Sequence, residues 1–74
     1  MADGFVHTVW KQDQWVNEIE GGAAFGGTHS SKEEAIAAGR ARAQRDGAEH
    51  VIHNQDGTIG ERNSYGNDPA SRPG

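Results

Sequence analysis

The 74-residue chain contains no cysteine and no leucine, and only two prolines, one methionine and one tyrosine. Without cysteine there is neither a disulfide staple nor a thiolate zinc site, so stability has to come from packing or from a partner. A cysteine-free chain also suits a reducing compartment, and a cytoplasmic location is expected. No run of 18 apolar residues occurs, and Met1 to Gly4 form no basic leader followed by an apolar stretch, so neither membrane insertion nor secretion is expected. A basic excess is missing as well. Eleven Asp and Glu stand against seven Lys and Arg, a formal net charge of -4, which supplies no global pull toward nucleic acid or anionic lipid.

The large apolar residues present are four Val, four Ile, two Phe, two Trp, Tyr65 and Met1. That is a thin core, but net charge is modest and the apolar residues fall in periodic clusters, which favours a folded chain over disorder. The length permits one domain, expected over residues 5–66 between a flexible N-terminus at 1–4 and a mobile tail at 67–74. A domain of this size buries only about 60% of its unfolded surface, so a sheet edge or a dimer interface is a natural place to gain more.

Ser30 to Gly47 is the segment whose start, face and stop can all be read. Ser30 or Ser31, with Glu33 or Glu34 three places on, forms a capping box in either register. Ala35, Ile36, Gly39 and Ala43 share one face, so the helix presents a stripe of mostly small residues and should lie close on its platform. Glycine inside a helix costs roughly 1 kcal/mol relative to alanine, and close approach is the reason expected for Gly39. Arg40, Arg42 and Arg45 gather toward the negative end of the helix dipole, and Gly47 is a natural left-handed stop.

Before the helix, Phe5 to Trp10 and Trp15 to Ile19 read as a hairpin around the polar KQDQ. Trp15 and Ile19 are expected under the helix, accompanied from the first arm by Val9 and either Phe5 or His7. Gly21 to Thr28 reads equally as a loop or as a short irregular strand around Ala23 to Phe25. After the helix, Glu49 to His53, the turn Asn54-Gln55-Asp56-Gly57 and an arm from Thr58 to about Tyr65 form a second hairpin. The fold class is therefore α+β: an antiparallel sheet of four to five strands with one helix packed on one face, in the order β-β-(β)-α-β-β.

With these elements in order, the helix start SSKEEAI, the hairpin His53-x-x-Asp56-Gly57-x-Ile59 and the ending Ser64-Tyr65-Gly66-Asn67-Asp68-Pro69 resemble a small bacterial family, the domain of unknown function 2188. The resemblance runs from about Val6 to Pro69. It implies a bacterial or phage protein with a small helix-on-sheet fold, and no established activity. The chain departs from the family pattern at Asn17, where an apolar residue is usual, at Trp10, where proline is frequent, and in the extra glycines of residues 21–27.

The chemistry-bearing residues support no catalytic or cofactor assignment. His50 and His53 point to opposite faces of a strand, so among His7, His29, His50 and His53 only a cross-strand pair such as His7 with His53 could chelate; the histidines are read as structural or surface residues, with no metal and no cofactor expected. Gly22 to Gly27 lacks the Lys-Ser/Thr that a phosphate loop needs after its second glycine, and acidic residues open the helix behind it. Ser, His and Asp occur in no nucleophile setting, and a domain with one helix seldom encloses a substrate pocket, so the chain is not expected to be an enzyme. Arg42 and Arg45 lie one turn apart with Arg40 round the cylinder, which makes no compact phosphate stripe; Trp10, Trp15 and Tyr65 are the residues available to stack on bases. The densest polar and aromatic cluster is at the C-terminal end, where Arg62, Tyr65, Asn67 and Asp68 are the candidate partner-binding residues, Arg and Tyr being hot-spot types. The expected function is a non-catalytic protein-interaction or accessory module, its partner another protein or a second copy. The alternative is a nucleic-acid-associated accessory protein.

Overall fold

The computed structural model describes residues 5–65. The segments 1–4 and 66–74, and with the latter the candidates Asn67 and Asp68, lie outside the described residues.

The alternating apolar pattern of the first hairpin becomes β1 (Val6–Lys11) and β2 (Gln14–Ile19), paired antiparallel from Val6↔Ile19 to Lys11↔Gln14. Their two-residue link holds Gln12 and Asp13 at φ 52 and 66, both left-handed, the backbone sense that matches strand twist in a tight hairpin. The glycine-rich segment is a strand: β3 (Ala24–His29) adds to the outer side of β2. Its pairing jumps between Asn17↔Phe25 and Val16↔Thr28, leaving Gly26 and Gly27 as a bulge at φ 75 and 77. The bulge deforms that sheet edge.

Helix α1 (Lys32–Asp46) starts and stops as its sequence predicts. Ser31 is the N-cap and accepts a hydrogen bond from the Glu34 amide at 3.2 Å, while Gly47 takes φ 64, ψ 40 and closes the C-terminus. Ala35, Gly39 and Ala43 are buried and Ile36 half-buried, which is the small stripe read from the spacing. The chain then enters β4 (Glu49–His53), turns at Asn54 to Gly57 and returns as β5 (Ile59–Ser64), antiparallel to β4. In the turn, the Gly57 amide bonds the Asn54 carbonyl at 2.9 Å and the Thr58 amide bonds the Asp56 carboxylate at 3.0 Å.

The five strands lie in the order β3-β2-β1-β4-β5 with the helix against one face. The α+β class and the single covering helix match expectation. One pair departs from the antiparallel pattern: β1 and β4 are parallel, in register Val6↔His50, His7↔Val51 and Thr8↔Ile52. The helix is the crossover that makes this possible, since parallel neighbours need a long connection. It places β1, the first strand of the chain, at the centre of the sheet.

The residues of β1 under the helix are Val6 and Thr8, both fully buried, with Trp10 at the end of the same row. This corrects the expectation of Val9 with Phe5 or His7, which stand on the opposite face. Trp15 is buried and Ile19 partly so, as expected. At one end Val6, Ala43 and Ala48 form a small cluster against which Ile19, Phe25 and Tyr65 pack. At the other, Trp10 and Trp15 meet edge to face with ring centroids 5.2 Å apart, and Lys32 Nζ lies 5.3 Å over the Trp15 ring.

Candidate functional site

Beneath the middle of the helix the sheet is polar. Thr8, Asn17 and His50, on three adjacent strands, are fully buried, and the Thr8 hydroxyl is hydrogen-bonded to both of the others. Asn17 Nδ2 donates to the Ala35 carbonyl of the helix at 3.0 Å, so its Oδ1 faces Thr8 and takes the one hydroxyl proton that Thr8 has to give. His50 Nε2, 2.7 Å from Thr8 Oγ1, must then be the donor. That assigns the Nε2–H tautomer and leaves Nδ1 as a buried acceptor without a partner. Burial pushes the imidazole below its ordinary value, and Arg40 adds to the shift. Protonation would create a buried cationic N–H with nothing to receive it.

Gly39 lies directly on this triad. A Cβ at that position would come within 2.6 Å of Asn17 Oδ1, 2.7 Å of His50 Nε2 and 2.9 Å of Thr8 Oγ1. The glycine is what lets the helix sit down on polar side chains, and their closure against it makes the triad an internal lock between helix and sheet.

The accessible chemistry is on the other face, which no element of the described residues covers. By register, Phe5, His7, Val9 and Lys11 of the β1 row stand beside Val16, Glu18 and Glu20 on one flank, and Glu49, Val51, His53 and Arg62 on the other. Val9 and Val16 are directly opposite, and Val51 is enclosed between His7 and Arg62, leaving Val16 and Val51 only 8% and 3% exposed. Around them the charges are paired, Lys11 with Glu18 and Arg62 with Glu49 at 3.6 Å, and His7 Nε2 is hydrogen-bonded to Glu20 Oε1 at 2.8 Å. The second nitrogen of His7, Nδ1, is 3.0 Å from His53 Nε2, with the ring planes tilted by 39°. Among the described residues no group of three or more His, Asp or Glu converges as a metal-ligand set.

The sequence candidates divide. Arg62 belongs to this open face, its guanidinium 6.0 Å over the Phe5 ring. Tyr65 is on the helix side, packed on the Val6–Ala43–Ala48 cluster, with its amide bonded to the Ala48 carbonyl at 3.3 Å. The two therefore do not form one patch. His7 and His53 do meet, across the parallel pair, while His50 turns to the core. Of the helix arginines, Arg42 bonds Asp46 at 2.7 Å and lies 4.8 Å over the Phe25 ring, and Arg45 also reaches Asp46, at 3.3 Å. Trp15, at 4% exposure, has no face free for a base. Phe5 and Glu20 were not legible as members of the open-face cluster. The sole available signal was the period-2 alternation, which places Phe5 in line with His7 once the face of β1 is known.

The architecture defines a small α+β domain with a one-sided helix, a sealed polar lock and an open, charge-paired sheet face. The chain belongs to the DUF2188 family, described as an uncharacterized protein conserved in bacteria, whose sequence profile matches residues 6–65. No curated protein and no solved structure matches it. No helix among the described residues is long and apolar enough to cross a membrane.

Proposed function

We propose that this bacterial domain is a non-catalytic interaction module that docks on another protein, in the cytoplasm, through the open face of its sheet. The supporting observation is the make-up of that face: Val9 at its centre, above the buried Val16 and Val51, with Phe5, His7, His53 and Arg62 around it, and with Lys11 and Arg62 already holding carboxylate partners. A face with neutralised charges and an aromatic-arginine corner suits a protein surface, where Arg and aromatic anchors carry most of the affinity. It offers phosphates little, because a nucleic-acid interface gains its affinity from uncompensated cations.

Affinity capture from lysate of the source, using the tagged wild-type domain and the open-face variants Val9→Lys and Arg62→Glu, tests the proposal. A protein retained after nuclease by the wild type and lost by both folded variants supports it. Retention abolished by nuclease would transfer the function to nucleic acid, and retention unaffected by either variant would remove the open face from consideration.

A further inference from the structure

His7 and His53 are set up as more than a rim. Both belong to the uncovered face, both are partly buried, and a ring nitrogen of one lies 3.0 Å from a ring nitrogen of the other. Glu20 Oε1, 2.8 Å from His7 Nε2, fixes the order of protons along the row. The carboxylate accepts from Nε2–H, so neutral His7 carries its lone pair on Nδ1, and His53 Nε2 supplies the hydrogen between the rings. A carboxylate on the far nitrogen of an imidazole whose near nitrogen is bare is the arrangement that orients metal-binding histidines and raises their basicity.

The distance fits the same chemistry. Two nitrogens bound to one cation at about 2.0–2.1 Å stand roughly 2.9 Å apart at a right angle and roughly 3.3 Å apart at a tetrahedral angle; the 3.0 Å separation lies between them. Coordination requires only that the His53 proton move from Nε2 to Nδ1, a change of tautomer with no change of charge, and that the rings turn their lone pairs toward a common point. We propose that His7 Nδ1 and His53 Nε2 bind one divalent transition cation of the zinc, nickel or copper class, with Glu20 as the positioning carboxylate and water in the remaining positions. Imidazole donors select this class over calcium or magnesium.

The remaining histidines serve as internal controls. His50 is sealed under Gly39, and His29 pairs with Trp15 on the helix side of the sheet. The test is titration of the untagged full chain with zinc chloride in phosphate-free buffer, followed by calorimetry and by nitrogen NMR of the imidazole rings. One cation should bind per chain, moving the His7 Nδ1 and His53 Nε2 resonances and leaving those of His29 and His50 in place. His7→Gln and His53→Gln should each weaken binding at least ten-fold, and Glu20→Gln about ten-fold, within the usual range for an outer carboxylate. The wild-type ring spectrum decides the case even if a variant misfolds. Absence of saturation by millimolar zinc, perturbation centred on His29, or undiminished binding by a folded His53→Gln chain would each overturn the assignment.

Discussion

Gly39 and Asn17 are in such close apposition that a single methyl group on the helix would stand 2.6 Å from the side-chain oxygen Oδ1 of Asn17. Alanine normally stabilises a helix interior relative to glycine by about 1 kcal/mol. Here the sign reverses. Three polar atoms tied to one another cannot yield without breaking their hydrogen bonds, so Gly39→Ala should destabilise the domain by about 1–3 kcal/mol. Urea denaturation measures this directly, and a raised midpoint would show that the helix can lift without cost.

The lock also makes stability depend on pH. His50 is neutral in the fold and its ionisation is pushed below the ordinary 6.5. The unfolded chain therefore binds the extra proton first, and stability is present above about pH 6.5 and drains away as pH falls below it. Asp46, held down chiefly by the Arg42 hydrogen bond, and Asp56, held down chiefly by the Thr58 amide, act in a separate window, losing their contribution only as pH falls below 3.8. Thermal melts from pH 8 to pH 5 should show a continuous decline beginning near neutrality. A flat profile over that span would mean that His50 finds a partner for Nδ1.

Much of this could be read in advance, and the boundary is informative. The helix was legible because capping, small-residue spacing and the terminal glycine are all local to Ser31 through Gly47. The parallel junction of β1 and β4 was not, since nothing near Val6 or His50 records a partner at the other end of the chain. Which face of β1 the helix would cover was equally hidden: Val6, Thr8 and Trp10 alternate with Phe5, His7 and Val9, and either set could have been the buried one. The real inner set includes threonine, paired with Asn17 and His50, because buried polar groups are tolerated when they satisfy each other. Asn17, noted as a departure from an apolar position, is the residue that ties the sheet to the Ala35 carbonyl. The candidate site was half legible. Strand periodicity excluded His50 with His53 and left a pair such as His7 with His53 able to meet if their strands adjoined, whereas Tyr65 carried the same aromatic signal whether it anchored a partner or the core.

Tyr65 and Arg62 consequently separate in their effects. Tyr65→Ala removes a ring from the Val6–Ala43–Ala48 cluster and should cost about 2 kcal/mol of stability. Arg62→Ala, at a half-exposed side chain, should stay within about 0.5 kcal/mol. Guanidinium melts of both variants check the order, which the opposite result would reverse.

The β1–β2 turn leaves room for improvement. Gln12 and Asp13 both hold left-handed backbones, which non-glycine residues adopt at a cost. Asp13→Gly should raise stability by about 0.5–1 kcal/mol, seen as a melting point a few degrees higher. No gain, or a loss, would indicate that the aspartate side chain repays the backbone cost.

The central place of β1 bears on how the domain assembles. Three strands before the helix and two after it can each form from neighbours in sequence, but the seam from Val6↔His50 to Thr8↔Ile52 joins the two ends of the chain. Loop closure makes such a seam late and slow to form. During synthesis, the side of β1 that will receive β4 stays open until the helix and β4 have emerged, and an emerging chain is exposed to strand capture along that side throughout the interval.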